Sequence, residues 1–296
     1  MATGWQRRVR FPTRREIAGK VRRFCADVTL RRRKRAYRRE TRGGDAPRFA
    51  IVVGCQRSGT DMVLWTLDRS LDVDRFDEDS RVAFADCRIR SPKTRGRLLQ
   101  GSDAQCVIFK PVCDSHRTDE LLGQHPGGRA IWVYRDYRDV AHSAVQRWGE
   151  MNLRFVRELA AGGGDWGRRQ WNRELMSPAR LRAVQELVAD DLTPHGAAAI
   201  YWYLVNDTFF EQQLDRRGEV TIARYEDLVT APRDEFRRLC RFLEIGYDDG
   251  MVHDIFARSA RRRSGLPISP KIAEHCEALL ARLDQALEEK KRDGAG

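Results

Sequence analysis

The chain lacks any C-x-x-C pair among its seven cysteines, which stand at Cys25, Cys55, Cys87, Cys106, Cys113, Cys240 and Cys276. An odd number without paired spacing argues against a disulfide framework and against a zinc site, and predicts a reducing compartment. Long apolar runs are missing as well: none approaches the ~20 residues of a membrane span, and no secretory leader core of roughly 7–15 apolar residues follows the first charges. Residues 1–43 are rich in arginine but contain no serine, which speaks against an organellar transit peptide. A cytoplasmic protein is the expectation.

Acidic residues are scarce at one end only. The formal charge of the 296 residues is +12, yet residues 1–43 hold 16 Lys and Arg against 3 Asp and Glu, leaving the remaining 253 at −1. The basicity belongs to an extension, 1–44, and not to the body, 45–296, so the high isoelectric point does not imply a nucleic-acid partner. Within the extension Ile17, Val21, Phe24 and Val28 share one helical face, followed by RRRKR at 31–35. The preferred reading is a basic helix laying that stripe on its own domain; the other is contact with an acidic or peripheral membrane surface. With 41% hydrophobic residues, the body can fill the core of a single domain.

Four short apolar runs, 49–53, 106–109, 130–134 and 219–223, read as buried strands. Helical patterns lie at 61–71, 140–148, 197–214, 232–243 and 270–290, and AAGGGDWG at 160–167 reads as a flexible turn. Strands alternating with helices predict an α/β fold with a parallel sheet covered on both faces. The stretches 78–104 and 149–196 carry no recognisable code and are the expected lining of a variable pocket.

The run AIVVGCQRSGT, 50–60, ends in two glycines five apart, Gly54 and Gly59. This is the spacing of a phosphate-binding loop, in which backbone N–H groups and a helix N-terminus surround an anion. The nucleotide hydrolase version needs a lysine after the second glycine, and here that position is Thr60. What remains is an anion site with Arg57 as the forked cation and Ser58 and Thr60 as hydroxyl donors; the plainer reading is an ordinary strand-to-helix turn.

A second candidate follows the third run. In YRDYRDVAHS, 134–143, Arg135 stands at the carboxyl end of a strand, where open α/β sheets bind ligands, and Ser143 lies about two turns into the next helix. An arginine and a hydroxyl converging there suit a second phosphate, although a salt-bridged RDYRD turn accounts for the same letters.

Together the two segments resemble the sulfotransferases that use 3′-phosphoadenosine 5′-phosphosulfate, through RSGT at 57–60 and RDYRDVAHS at 135–143, with Lys110–Pro111 and RYEDL at 224–228 continuing the likeness. The resemblance covers roughly 48–245 and implies a P-loop-like parallel sheet flanked by helices, and that donor as co-substrate without a metal. It implies that Arg57, Ser58, Gly59 and Thr60 bind the phosphosulfate end, that Arg135 and Ser143 bind the 3′-phosphate, and that Tyr225 contacts the adenine. ARRRSG at 260–265 would be a further clamp on the 3′-phosphate, with a solvated charge run as the preferred reading. Where the family has a second Ser or Thr this chain has Asp61. Beside two anions such a carboxylate is expected to turn away, to cap or pair elsewhere.

Sulfuryl transfer to a hydroxyl needs an in-line nucleophile, a base for its proton and positive charge on the leaving phosphate. By resemblance Lys110 stabilises the transferring group, with Arg57 assisting, and Glu78 is the base, its offset from Arg57 matching that of the family glutamate. His116 is the second candidate base, six residues beyond Lys110. The acceptor class is a hydroxyl of a small molecule, lipid or saccharide. Two other functions stay open at this point: a P-loop nucleoside or nucleotide kinase or triphosphatase, for which Asp136 is the only strand-end metal ligand, and a non-catalytic anion-binding protein.

Overall fold

The unbroken apolar runs become four of the five strands of a parallel sheet. Strands β1 (Arg48–Gly54), β2 (Val73–Phe76), β5 (Cys106–Phe109), β6 (Arg129–Tyr134) and β7 (Val220–Arg224) lie in the order β2-β5-β1-β6-β7, every pairing parallel. A separate antiparallel hairpin, β3 (Phe84–Ala85) and β4 (Arg88–Ile89), follows β2 in the chain. In this computed structural model the described residues are 28–30, 32–40, 46–162, 174, 177–255 and 264–293.

Two compact units divide the chain, 1–43 and 44–296. In the first, residues 32–40 are helical; the stripe from Ile17 to Phe24 lies outside the described residues, as do most of the 160–167 turn and of the 260–265 loop. The second unit holds the sheet and ten helices among the described residues. They are α1 (Thr60–Leu67), α2 (Pro92–Gln100), α3 (Thr118–Gly123), α4 (Tyr137–Trp148), α5 (Met151–Ala160), α6 (Pro178–Leu187), α7 (Pro194–Glu211), α8 (Tyr225–Thr230), α9 (Pro232–Leu243) and α10 (Pro270–Asp293).

Successive strand residues point to opposite faces, and here both faces are buried. Phe49, Ile51, Val53, Phe109, Trp132, Tyr134 and Ile222 join one core with side chains of α4, α7 and α10, while Ala50, Val52, Ile108, Ile131, Val133 and Ala223 join the other with α1 and α9. Fully burying each large aliphatic side chain contributes about 1.5–3 kcal/mol, which fixes the register that sets Ile51 level with Phe109 and Ala130. Trp132 brings a polar atom into the first core and gives its indole N–H to Asn206 Oδ1 at 3.1 Å.

Strand β2 differs from the apolar pattern in carrying two polar side chains at its centre. Its Asp74 accepts from Ser102 at 2.6 Å and Arg75 pairs with Asp68 and Asp77, so both are satisfied between two apolar anchors, buried Val73 and Phe76, whose ring stacks on Phe109 with centroids 5.2 Å apart. Helix α7 begins three residues ahead of its apolar stretch, because Thr193 caps it by accepting from Gly196 N–H and Pro194 preorganises the first turn.

From β1 the chain turns into α1 on one face, and from β6 into α4 on the other. A crevice therefore opens at the carboxyl ends of these neighbouring strands, the place where open α/β sheets bind ligands.

Candidate active site

Gly54 closes β1 with φ +128°, and a Cβ there would stand 2.1 Å from the Val133 carbonyl oxygen, so only glycine lets β1 and β6 approach this closely. The loop it begins is tied down by Ser115, whose hydroxyl lies 3.0 Å from both the N–H and the carbonyl oxygen of Gly54. Arg57 then takes φ 71° and Gly59 φ +95°, left-handed conformations that swing the chain into α1. Gly59 caps that helix without a side chain, leaving N–H groups of its first turn facing the loop.

The hydroxyl oxygen of Ser58 is buried without a hydrogen-bond partner among the described residues. Leaving a buried hydroxyl unpaired costs about 1–3 kcal/mol, a cost that an acceptor arriving from outside would remove. A Cβ at Gly59 would stand 2.4 Å from the Tyr225 ring. That ring lies under the guanidinium of Arg135, 4.3 Å from carbon to centroid. Gly59, Tyr225 and Arg135 thus form one stack across the ends of β1, β7 and β6.

The two anion segments meet directly. Arg57 Nε donates to Ser143 Oγ at 3.0 Å, and its guanidinium carbon sits 5.8 Å from the Trp148 ring centroid. The RDYRD turn is also salt-bridged, with Arg135 3.4 Å from Asp139 and Asp136 accepting from the Arg138 N–H at 2.8 Å. The plain reading of that turn is observed and does not compete with the functional one, since the bridge to Asp139 fixes Arg135 at the strand end.

Lys110 follows β5 and Glu78 follows β2, and the two side chains form an ion pair. Lys110 also bridges to Asp61 Oδ1 at 2.8 Å. The expectation that Asp61 turns away is corrected here. Asp61 lies in the first turn of α1, directly across from an ammonium whose side chain is only 7% exposed, and the attraction of a buried cation holds it there. Burial pushes the Glu78 carboxyl above its ordinary range, against the pull of Lys110. For Lys110 burial works downward, but Glu78 and Asp61 outweigh it and the ammonium is held above the usual lysine range.

His116 is placed elsewhere, its Nε2 2.9 Å from Glu174 in a cluster with Arg88 and Asp114. Burial lowers its basicity. Every other predicted site residue stands at or just beyond the carboxyl end of a strand, apart from Ser143 on α4, and all five strands contribute. Ser115 and the Asp61 bridge were not foreseen, and nothing local in the sequence marks either. Among the described residues no group of three His, Cys, Asp or Glu is arranged to hold a metal ion, and no helix is long and apolar enough to cross a membrane.

A parallel sheet with a glycine-bounded loop after its first strand and an arginine–hydroxyl contact beside it defines the class, an α/β protein with its candidate site at the carboxyl ends of the strands. The profile of the sulfotransferase domain matches residues 47–263. The chain belongs to the sulfotransferase family. No curated protein matches it by sequence. Among solved structures it is similar to a sulfotransferase from Alicyclobacillus acidocaldarius, with 17% identity over 83% of this chain and 95% of that one and a TM-score of 0.46. A sulfotransferase domain of a Synechococcus olefin synthase shares 14% identity over 84% and 97%, with a TM-score of 0.44. A mouse sulfotransferase complexed with PAP shares 14% over 82% and 87%, with a TM-score of 0.42.

Proposed function

We propose that this protein transfers a sulfuryl group from 3′-phosphoadenosine 5′-phosphosulfate to a hydroxyl of a small-molecule, lipid or saccharide acceptor, by in-line displacement. The observation that carries the reading is the Glu78–Lys110 pair, a half-buried carboxylate on a buried ammonium at the ends of neighbouring strands, one helix turn from an anion loop with an unpaired buried hydroxyl.

In this reading Ser58, the N–H groups around Gly59 and Thr60, and Arg57 hold the phosphosulfate end. Arg135 and Ser143 hold the 3′-phosphate, and Tyr225 lies against the adenine. Glu78 accepts the acceptor's proton as the new oxygen–sulfur bond forms, and Lys110 offsets the charge that builds on the bridging oxygen as the old sulfur–oxygen bond breaks. Little covalent chemistry falls to the protein in such a transfer, so positioning dominates.

Titration calorimetry with adenosine 3′,5′-bisphosphate against ATP and Mg²⁺ tests the donor. Binding of the bisphosphate alone is expected, and preference for ATP with Mg²⁺ overturns the reading in favour of phosphoryl chemistry. A panel of hydroxyl acceptors with isotopically labelled donor, read by mass spectrometry, then identifies the acceptor class.

A further inference from the structure

Beside Glu78 the fold sets a pair of thiols that the transfer reaction does not use. Cys87 sits at the tip of the β3–β4 hairpin, exposed, with φ 64° and its neighbour Asp86 at φ 49°. Left-handed backbone is unusual for a residue other than glycine, asparagine or aspartate and persists where the surroundings hold it. The hold here comes from the short helical turn that begins just past Lys110, where the Asp114 carboxylate accepts from Arg88 Nε at 2.5 Å and from the Ile89 N–H at 2.8 Å and so sets the hairpin tip against buried Cys113, whose thiol interacts with that of Cys87. Cys113 also lies 3.8 Å from the Gln56 side-chain amide, inside the anion loop. The negative field of Glu78 reaches both sulfurs. The pair therefore bridges the segment carrying the proposed base, the turn after the proposed lysine, and the donor loop.

The chemistry of the two sulfurs differs in the way a reactive pair requires. The hydrogen bond from Cys113 stabilises the Cys87 thiolate and lowers its pKa to about 7, while the same contact and burial raise that of Cys113. Burial pushes up the thiols of Cys55, Cys106, Cys240 and Cys276, leaving them inert. Among the described cysteines Cys87 is the exposed one.

We propose that Cys87 and Cys113 are an oxidation site at which a peroxide closes a reversible disulfide, locking the Glu78 segment to the turn after Lys110. The Cys87 thiolate attacks a peroxide oxygen, giving a sulfenic acid and hydroxide. The Cys113 sulfur then displaces the sulfenic oxygen as water, its own proton going to that leaving oxygen. In sum two thiols and one hydrogen peroxide give one disulfide and two waters, with one electron lost from each sulfur. Formation of the bond does not depend on the proposed function; its effect on transfer rests on that reading.

The test uses the full chain, reduced, exchanged into thiol-free buffer and treated with stoichiometric hydrogen peroxide. Intact mass is expected to fall by two hydrogens, and peptide mapping to yield a Cys87–Cys113 linkage that dithiothreitol removes. Cys87→Ser is expected to keep its mass under the same treatment. Cys113→Ser is expected to stop at a Cys87 sulfenic acid trapped by dimedone, a cooperative thermal melt showing that each variant is folded. A Cys87 that ends as sulfinic acid, or that links to any other thiol, overturns the site. With an acceptor in hand, oxidised chain is expected to lose at least about tenfold in kcat and to regain it on reduction; undiminished turnover in the linked form overturns the locking. Mass mapping needs no activity, so a chain that transfers no sulfate leaves the linkage result standing and fails only the functional reading.

Discussion

Arg57 Nε donates to Ser143 Oγ at 3.0 Å, joining the loop after β1 to helix α4 across 86 residues of chain. The contact turns what read as two separate anion elements into one continuous wall. Arg57 holds φ 71° to make it, and Trp148 lies beside its guanidinium, 5.8 Å from carbon to centroid. A forked cation in this position can serve an oxygen on either side, so under the proposed function Arg57 can reach the 3′-phosphate beside Ser143 as well as the phosphosulfate.

Ser143→Ala separates those roles. A hydrogen bond to a charged partner contributes about 1.5–3 kcal/mol, so affinity for adenosine 3′,5′-bisphosphate is expected to fall about tenfold. Adenosine 5′-monophosphate, which has no 3′-phosphate, is expected to change by less than about twofold. Calorimetry with the two nucleotides checks this; equal losses for both would mean that Ser143 only props up Arg57.

Asp61 offers a change in the other direction. Its carboxylate occupies one side of Lys110 at 2.8 Å while 65% exposed, and an anion bound at the loop has to share that ammonium with it. Removing the charge in Asp61→Ser is expected to tighten bisphosphate binding by about three- to tenfold, the range set by solvent screening of an exposed charge. Weaker binding in the variant would show instead that Asp61 organises the loop by holding Lys110.

How much of this could be read from letters depends on where the determining contacts lie. β1, β5, β6 and β7 were legible because a strand buried on both faces is an unbroken apolar run. β2 was not, since Asp74 and Arg75 at its centre are satisfied by contacts to Ser102, Asp68 and Asp77 that composition does not reveal. Arg57 and Arg135 were legible as candidates because each directly follows such a run. The Asp61–Lys110 bridge, the Ser115 tie to Gly54 and the Cys87–Cys113 contact join different strand ends, and sequence spacing is silent about which ends meet. Asp61 was misjudged because its repulsion from an anion was weighed without the ammonium across from it.

Gly59 carries the steric constraint of the site. Gly59→Ala places a Cβ 2.4 Å from the Tyr225 ring at a φ of +95°, so either the ring moves off Arg135 or the loop shifts. Left-handed strain of this kind costs of order 1–3 kcal/mol. The variant is expected to melt at a lower temperature and to lose most of its bisphosphate binding. The double variant Gly59→Ala, Tyr225→Ala is expected to regain stability by relieving the clash while binding stays weak. Failure to regain any stability would place the whole cost in the backbone.

The pH dependence of turnover follows from the same pair that carries the functional reading. Glu78 works as a base only when ionised, and burial raises its pKa above the ordinary glutamate value, so kcat/KM is expected to fall as pH drops through that raised value, earlier than for an exposed carboxylate. Lys110 is shifted upward by its two carboxylates against the effect of burial, so its charge persists through the alkaline range and a basic limb in the profile is not its signature. Glu78→Gln keeps the shape and removes the base: transfer is expected to fall by about 10²–10⁴, and the acid limb to disappear from what remains. Bisphosphate affinity is expected to hold, because in the proposed reading Glu78 serves the acceptor and makes no contact with the nucleotide. If the variant turns over at the wild-type rate, or keeps the same acid limb, the proton goes elsewhere, and His116 beside Glu174 becomes the group to substitute next.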